Sequence, residues 1–223
     1  MSELDHNNHH KANSTNELIE VYTLDGKPTG TAQPRSKIHS EGIWHKTVHT
    51  WILETSTKRL LIQKRSPHKL NHPNMWDVSS AGHMSFGQQP PEAAVREVEE
   101  ELGLTITPEE LGSPIDTLRV QFVLNGGTYI DNEFIDVFLV KREHVDLNAL
   151  KLQAEEVCDA QLIHYAVLEH CYKIKHPEFV IFEQHSDEFA ERFFKHLRQV
   201  IVEESDDLNL EKHWPSFIRK IQV

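Results

Sequence analysis

The chain has 223 residues, room for one large domain with extensions, and its 38% hydrophobic content is enough to bury a core. A formal net charge of −12 without any block of Lys or Arg argues against polymeric nucleic acid and anionic membranes as partners.

Residues 1–17, rich in His, Asn and Ser, bury almost nothing and are expected to form a disordered tail; His9 and His10 lack the regular spacing of a metal tract. From Leu18 onward short strands are expected. LIEVYTL runs to the turn Asp25-Gly26, and a polar stretch follows to Gly42. KTVHTWILE (46–54) and RLLIQKR (59–65) are rich in β-branched and apolar residues and predict a hairpin. WDVSSAGH (76–83) predicts a strand running into a glycine-containing loop, and a helix follows from Pro90 to Leu102. TLRVQFVL and YIDNEFIDVFLVKR flank Asn125-Gly126-Gly127, the composition of a tight hairpin turn.

VCDAQLIHY is strand-like, 188–204 carries apolar residues at helical spacing, and Trp214, Phe217 and Ile221 suggest a last amphipathic piece. The expected class is α/β, a mixed sheet with helices packed on it, over residues 18–175. Residues 176–223 are expected as a C-terminal helical extension on the same domain. Two cysteines without a framework, no apolar stretch near ~18 residues and no signal-like start make a reducing cytoplasm the expected location.

The segment GHMSFGQQPPEAAVREVEEELGL (82–104) first reads as scaffold. Pro90 and Pro91 suit a helix start, Glu92 favours the positive end of the dipole, and Gly103 suits the stop. Its carboxylates say more. At 100° per residue Glu97, Glu100 and Glu101 share an arc of about 100°, while Val95, Val98 and Leu102 form another face suited to packing. Like charges at such spacing destabilise a helix unless neutralised, and a hard divalent cation with oxygen ligands does so. Arg96, four residues from both Glu92 and Glu100, is placed to orient one carboxylate. A solvated acidic face is the competing explanation on spacing alone.

This stretch resembles the Nudix box. Gly82, Arg96, Glu97, Val98, Glu100, Glu101, Gly103 and Leu104 match at the required spacing, and Gln88 stands where the box carries Glu. The resemblance implies a Nudix-type α/β/α sandwich and a magnesium- or manganese-dependent hydrolase that cleaves a diphosphate linkage in a small molecule. It implies Glu97, Glu100 and Glu101 as metal ligands with the Gly82 carbonyl beside them. The general base is left open between these carboxylates and one from elsewhere; Glu97, Glu100 and Glu133 are the candidates.

Outside the box, WHKTVHTWI, LLIQKRS, WDVSSAGH and DNEFIDVF resemble the Nudix branch of isopentenyl-diphosphate isomerases and related hydrolases, over about residues 18–165. That resemblance implies a second metal site from His49, His83, Asp131 and Glu133, with His39 and His45 as weaker candidates. It also implies diphosphate contacts from Arg65 and Lys69. Isomerases need a Cys before the Gly-His pair, where this chain has Ala81, and they tend to lose box carboxylates that persist here. Hydrolysis of an isoprenoid diphosphate or a nucleoside diphosphate derivative is therefore expected. The alternatives are isomerisation and a non-catalytic diphosphate-binding module, and a homodimer is compatible with the sequence.

Overall fold

The apolar runs at 46–54, 59–65 and 129–142 become strands buried along most of their length, and the helix-period segments become helices with one buried face. The computed structural model describes residues 16–181, 186–201 and 210–219. The elements are β1 (Leu18–Tyr22), β2 (Pro28–Pro34), α1 (Arg35–Glu41), β3 (His45–Glu54), β4 (Arg59–Arg65), β5 (Trp76–Asp77) and β6 (Ser80–His83). They continue as α2 (Pro90–Leu102), α3 (Pro108–Leu111), β7 (Asp116–Leu124), β8 (Tyr129–Arg142), β9 (Val157–His164), α4 (Tyr165–Lys173), α5 (Ser186–Val200) and α6 (Leu210–His213).

The chain divides into two compact units. The first takes the described residues up to Thr50, with Ala81–Glu100 and Leu104–Phe138. Here β1 and β2 pair antiparallel, Ile19 opposite Gln33. The β7/β8 hairpin pairs from Asp116↔Val137 to Leu124↔Tyr129. Its turn has positive φ at Asn125, Gly126 and Gly127, which the Asn-Gly-Gly composition tolerates. β8 lies between β7 and the opening half of β3, and the Met84 N–H just after β6 donates to the Lys46 carbonyl on β3. α2 buries Ala93, Ala94 and Val98 in this unit, whereas Val95, expected on the packing face, is half-buried.

The second unit takes Trp51–Ser80, Glu101–Gly103 and Leu139–Val223. Its centre is β4, whose Leu60, Leu61 and Ile62 are fully buried. Leu61 faces both Ile52 of β3 and Leu162 of β9, and Gln63 faces both Asp77 of β5 and Ala160 of β9. β9 therefore takes one edge of β4, and β3 and β5 share the other. Gly103 ends α2 at φ 64°, a left-handed conformation suited to glycine. α5 is anchored by an Arg198–Glu169 ion pair to α4 at 2.7 Å and by Phe193 against Trp51, ring centres 4.9 Å apart.

The division into units interleaves along the chain and does not fall at 175/176; residues of the expected C-terminal extension share the second unit with β4, β5 and β9. Several elements lacked a clear signal in the sequence: β2 and α1 lie in the stretch read as polar, α3 and α6 fall outside the expected helices, and α4 follows β9 directly. The expected disordered tail lies outside the described residues except for Asn16 and Glu17. Glu17 is a correction to that boundary, since it is only 8% exposed and hydrogen-bonded. Residues 202–204 of the helix expected at 188–204, and Ile221, also lie outside the described residues.

Candidate active site

The box begins where β6 ends. A β-carbon on Gly82 would fall inside the Glu97 carboxylate, so any side chain there must displace the end of Glu97; the Gly82 φ is not among the positive ones. The loop that follows is closed by the Gln88 N–H on the Ser85 carbonyl at 3.0 Å and by the Ser85 N–H on the Gln88 side-chain oxygen at 3.2 Å. Glu92 then reaches back to accept from the Gln89 N–H at 2.9 Å, satisfying a donor at the start of α2.

Arg96 ties this loop to the helix. Its guanidinium donates to the His83 carbonyl at 2.8 Å and to the Glu100 carboxylate at 2.9 Å, and it lies 2.8 Å from a Glu97 oxygen. The contact to the Gln88 side-chain oxygen is longer, 3.4 Å. Burial by itself would lower the Arg96 pKa, but Glu97 and Glu100 outweigh it and raise it, so the guanidinium stays charged. Arg96 was expected to orient one carboxylate and engages two. Glu97 is 3% and Glu101 5% exposed, an unusual degree of burial for glutamates. In the second unit Glu101 accepts from the Gln63 side-chain amide at 3.4 Å.

A second constellation lies wholly within the first unit. His39 from α1, His45 from β3, His83 from β6, and Asp131 and Glu133 from β8 bring side-chain nitrogens and oxygens together. In each of two overlapping groups the ligand atoms lie within 4.8 Å of one another. His45 Nε2 is 3.4 Å from Glu133 Oε1 and 3.6 Å from Asp131 Oδ1; His39 Nε2 is 3.5 Å from the same Asp131 oxygen. The Nε2 atoms of His83 and His39 are 3.1 Å apart.

Backbone carbonyls set the tautomers. His39 Nδ1 donates to the Arg35 carbonyl at 2.8 Å and His45 Nδ1 to the Ile43 carbonyl at 3.0 Å, so in the neutral rings both Nε2 lone pairs turn inward. His45 Nε2 and Asp131 Oδ1 are buried without a hydrogen-bond partner. The inward lone pairs of His39 and His45, with the His83 ring and two carboxylates beside them, suit a cation with mixed nitrogen and oxygen ligands. Burial and the Asp131 charge push the Glu133 pKa up to about 7. The pKa of Asp131, despite burial, is held below the usual range by His39 and His45.

This geometry corrects the expected set. His83, Asp131 and Glu133 come together, but His49 is in neither group and His45 takes its place. At about 3.3 Å per residue His49 sits roughly 13 Å along β3 from His45, too far to share one ion. Glu133, a candidate general base, belongs to this cluster.

Arg65 and Lys69, expected to bind diphosphate, both carry internal partners in the second unit. Arg65 pairs with the buried Asp77 at 3.0 Å and donates to the Asn71 carbonyl, and Lys69 pairs with Glu156. Asp77 and Glu17 were not picked out by the sequence reading; an acidic residue twelve positions from Arg65 carries no periodic signal.

A family model described as NUDIX domain matches residues 43–184. Nudix hydrolase 3 of Arabidopsis thaliana is 38% identical over 168 residues, covering 75% of this chain and 22% of that protein. An uncharacterized Nudix hydrolase of Clostridium acetobutylicum is 35% identical over 143 residues, 63% of this chain and 66% of that one. An isopentenyl-diphosphate Delta-isomerase of Escherichia coli is 28% identical over 145 residues, 65% and 75% of the two chains. A solved Deinococcus radiodurans protein shares the α/β fold with TM-score 0.56 at 20% identity, covering 79% of this chain and 98% of its own. The chain belongs to the Nudix hydrolase family, in a branch whose relatives include isopentenyl-diphosphate isomerases. It spans about a fifth of the Arabidopsis relative and 66% of the Clostridium one. Among the described residues no helix is long and apolar enough to cross a membrane.

Proposed function

We propose that this chain is a divalent-cation-dependent hydrolase that cleaves a diphosphate linkage in a small molecule, with Glu97, Glu100 and Glu101 as ligands of magnesium or manganese and the Gly82 carbonyl beside them. The observation that carries the reading is the buried Glu97 carboxylate seated against Gly82, on a helix whose spacing matches the Nudix box throughout except at Gln88. Buried glutamates one turn apart suit a cation, and Arg96 pairs with Glu97 and Glu100 beside it. When bound, magnesium would shield the diphosphate and lower the pKa of water for attack on phosphorus. Arg96 would hold Glu97 and Glu100 in place, and one of the carboxylates, Glu97, Glu100 or Glu133, would take the proton of the attacking water.

The His39, His45, His83, Asp131 and Glu133 cluster is read as a second metal site, for zinc or another transition metal. Arg65 and Lys69 would contact the diphosphate by exchanging Asp77 and Glu156 for phosphate oxygens. The substrate is read as an isopentenyl or dimethylallyl diphosphate, or a nucleoside diphosphate derivative. Phosphate release measured with magnesium across these compounds and dinucleotides tests the reading, and no turnover on any would favour a binding module. Isomerisation is the second reading, favoured by the isomerase relative and by the cluster. Ala81 opposes it, since a methyl group has no proton to give.

A further inference from the structure

The box loop carries a neutral residue, Gln88, where the motif has a carboxylate, yet a buried carboxylate from outside the motif is fastened to the same loop. Glu17, immediately before β1, accepts from the Ser85 hydroxyl at 2.8 Å, and the Ser85 N–H is the donor held by Gln88 at 3.2 Å. Ser85 thus joins the two side chains. Backbone contacts clamp the segment: Phe86 N–H donates to the Leu18 carbonyl at 2.9 Å, Ile19 bridges Ser85, and Arg35 N–H donates to the Glu17 carbonyl at 2.8 Å. The second Glu17 oxygen accepts no hydrogen bond and lies 3.6 Å from the Arg35 guanidinium. Glu17 is 8% exposed; burial pushes its pKa up, and the Ser85 hydrogen bond with the Arg35 and Arg96 charges works against that rise.

We infer that Glu17 is a positioning residue that supplies, from the N-terminal strand, the negative charge the box lacks at Gln88. This inference rests on the assignment of Glu97 and Glu100 to a metal site. Arg96 faces two carboxylates that the cation also requires. A third, non-ligating carboxylate in the same field balances Arg96 and leaves Glu97 and Glu100 available to the ion. Gln88 retains the loop hydrogen bond but contributes no charge. A plain structural clamp through the Ser85 hydrogen bond is the competing role for Glu17, and a glutamine oxygen also accepts that bond.

Mn²⁺ titration by calorimetry, on wild type, Glu17→Gln, Glu17→Asp, Gln88→Glu and Glu17→Gln/Gln88→Glu, separates charge from clamp. The binding event lost in Glu97→Gln identifies the box site. At that site Glu17→Gln is expected to weaken Mn²⁺ on the order of tenfold, the scale of one nearby charge in partly buried surroundings. Glu17→Asp, which keeps the charge, stays within about threefold, and adding Gln88→Glu to Glu17→Gln recovers most of the loss. Unchanged affinity in Glu17→Gln beside a Glu97-dependent wild-type site overturns the role of Glu17 alone, as does a double variant without recovery. Absence of any Glu97-dependent binding in wild type removes the metal assignment and this inference with it. Should Glu17→Gln fail to fold, a Glu17→Asp variant that binds more than tenfold weaker while melting like wild type also overturns it.

Discussion

The Glu97 carboxylate occupies the space that a side chain at Gly82 would need, so the strand end and the helix of the box are fitted to each other at one atom. Gly82→Ala is therefore expected to expel Glu97 from its seat. Because the backbone there does not require glycine's freedom, the stability loss should be modest, about 1–3 kcal/mol from overpacking. Mn²⁺ affinity and magnesium-dependent turnover should fall much further, and a variant that melts lower but turns over normally would dissociate Glu97 from the chemistry.

Glu101→Gln keeps the shape of a buried side chain and deletes its charge. Turnover should drop on the order of 10²-fold or more while the circular dichroism spectrum is retained, the range seen when an electrostatic contributor to phosphorus chemistry is removed. A well-folded variant with wild-type phosphate release would take Glu101 out of the ligand set.

The two histidines of β3 separate under metal analysis. His45→Asn should lower the zinc or manganese retained after dialysis, because Nε2 of His45 faces both Asp131 and Glu133. His49→Asn should leave the metal content unchanged. Equal loss in both variants would mean that the cluster is not the site of retention.

Glu54, 2% exposed in the second unit, accepts from the Val145 N–H at 2.8 Å and from the Thr57 hydroxyl, and faces His144 at 3.1 Å. Burial alone would raise its pKa, but these partners bring it below the ordinary 4.5. A folded pKa below the unfolded one adds stability that is present above 4.5 and lost as pH falls through the folded value. Glu54→Gln should lower Tm at neutral pH. The gap to wild type should close as pH falls below the ordinary 4.5; a gap constant with pH would exclude this ionic contribution.

With isopentenyl diphosphate and magnesium, NMR of the products should show no dimethylallyl diphosphate at enzymatic rates. Double-bond migration needs two proton-handling groups facing each other, and the position before Gly82 is Ala81. Formation of isopentenyl monophosphate and phosphate would identify the substrate class, whereas dimethylallyl diphosphate would restore the isomerase reading.

Local chemistry made the box legible in the linear chain: one helical period brings Glu97, Glu100 and Glu101 to one arc, and Pro90 and Gly103 mark the ends of α2. The β3/β4 and β7/β8 hairpins were legible for the same reason, since apolar strands joined by short turns need only neighbouring residues to define them. Side-chain clusters drawn from distant segments were not. His39, His45, His83, Asp131 and Glu133 come from four elements, and choosing His45 over His49 depends on where β3 stands beside β6 and β8. Glu17 lay in a stretch that composition marks as a tail, and its burial comes from backbone pairing with a loop nearly seventy residues away. Periodicity records which residues share a face; only the packing of strands and helices decides which faces meet, and so which charges must answer one another.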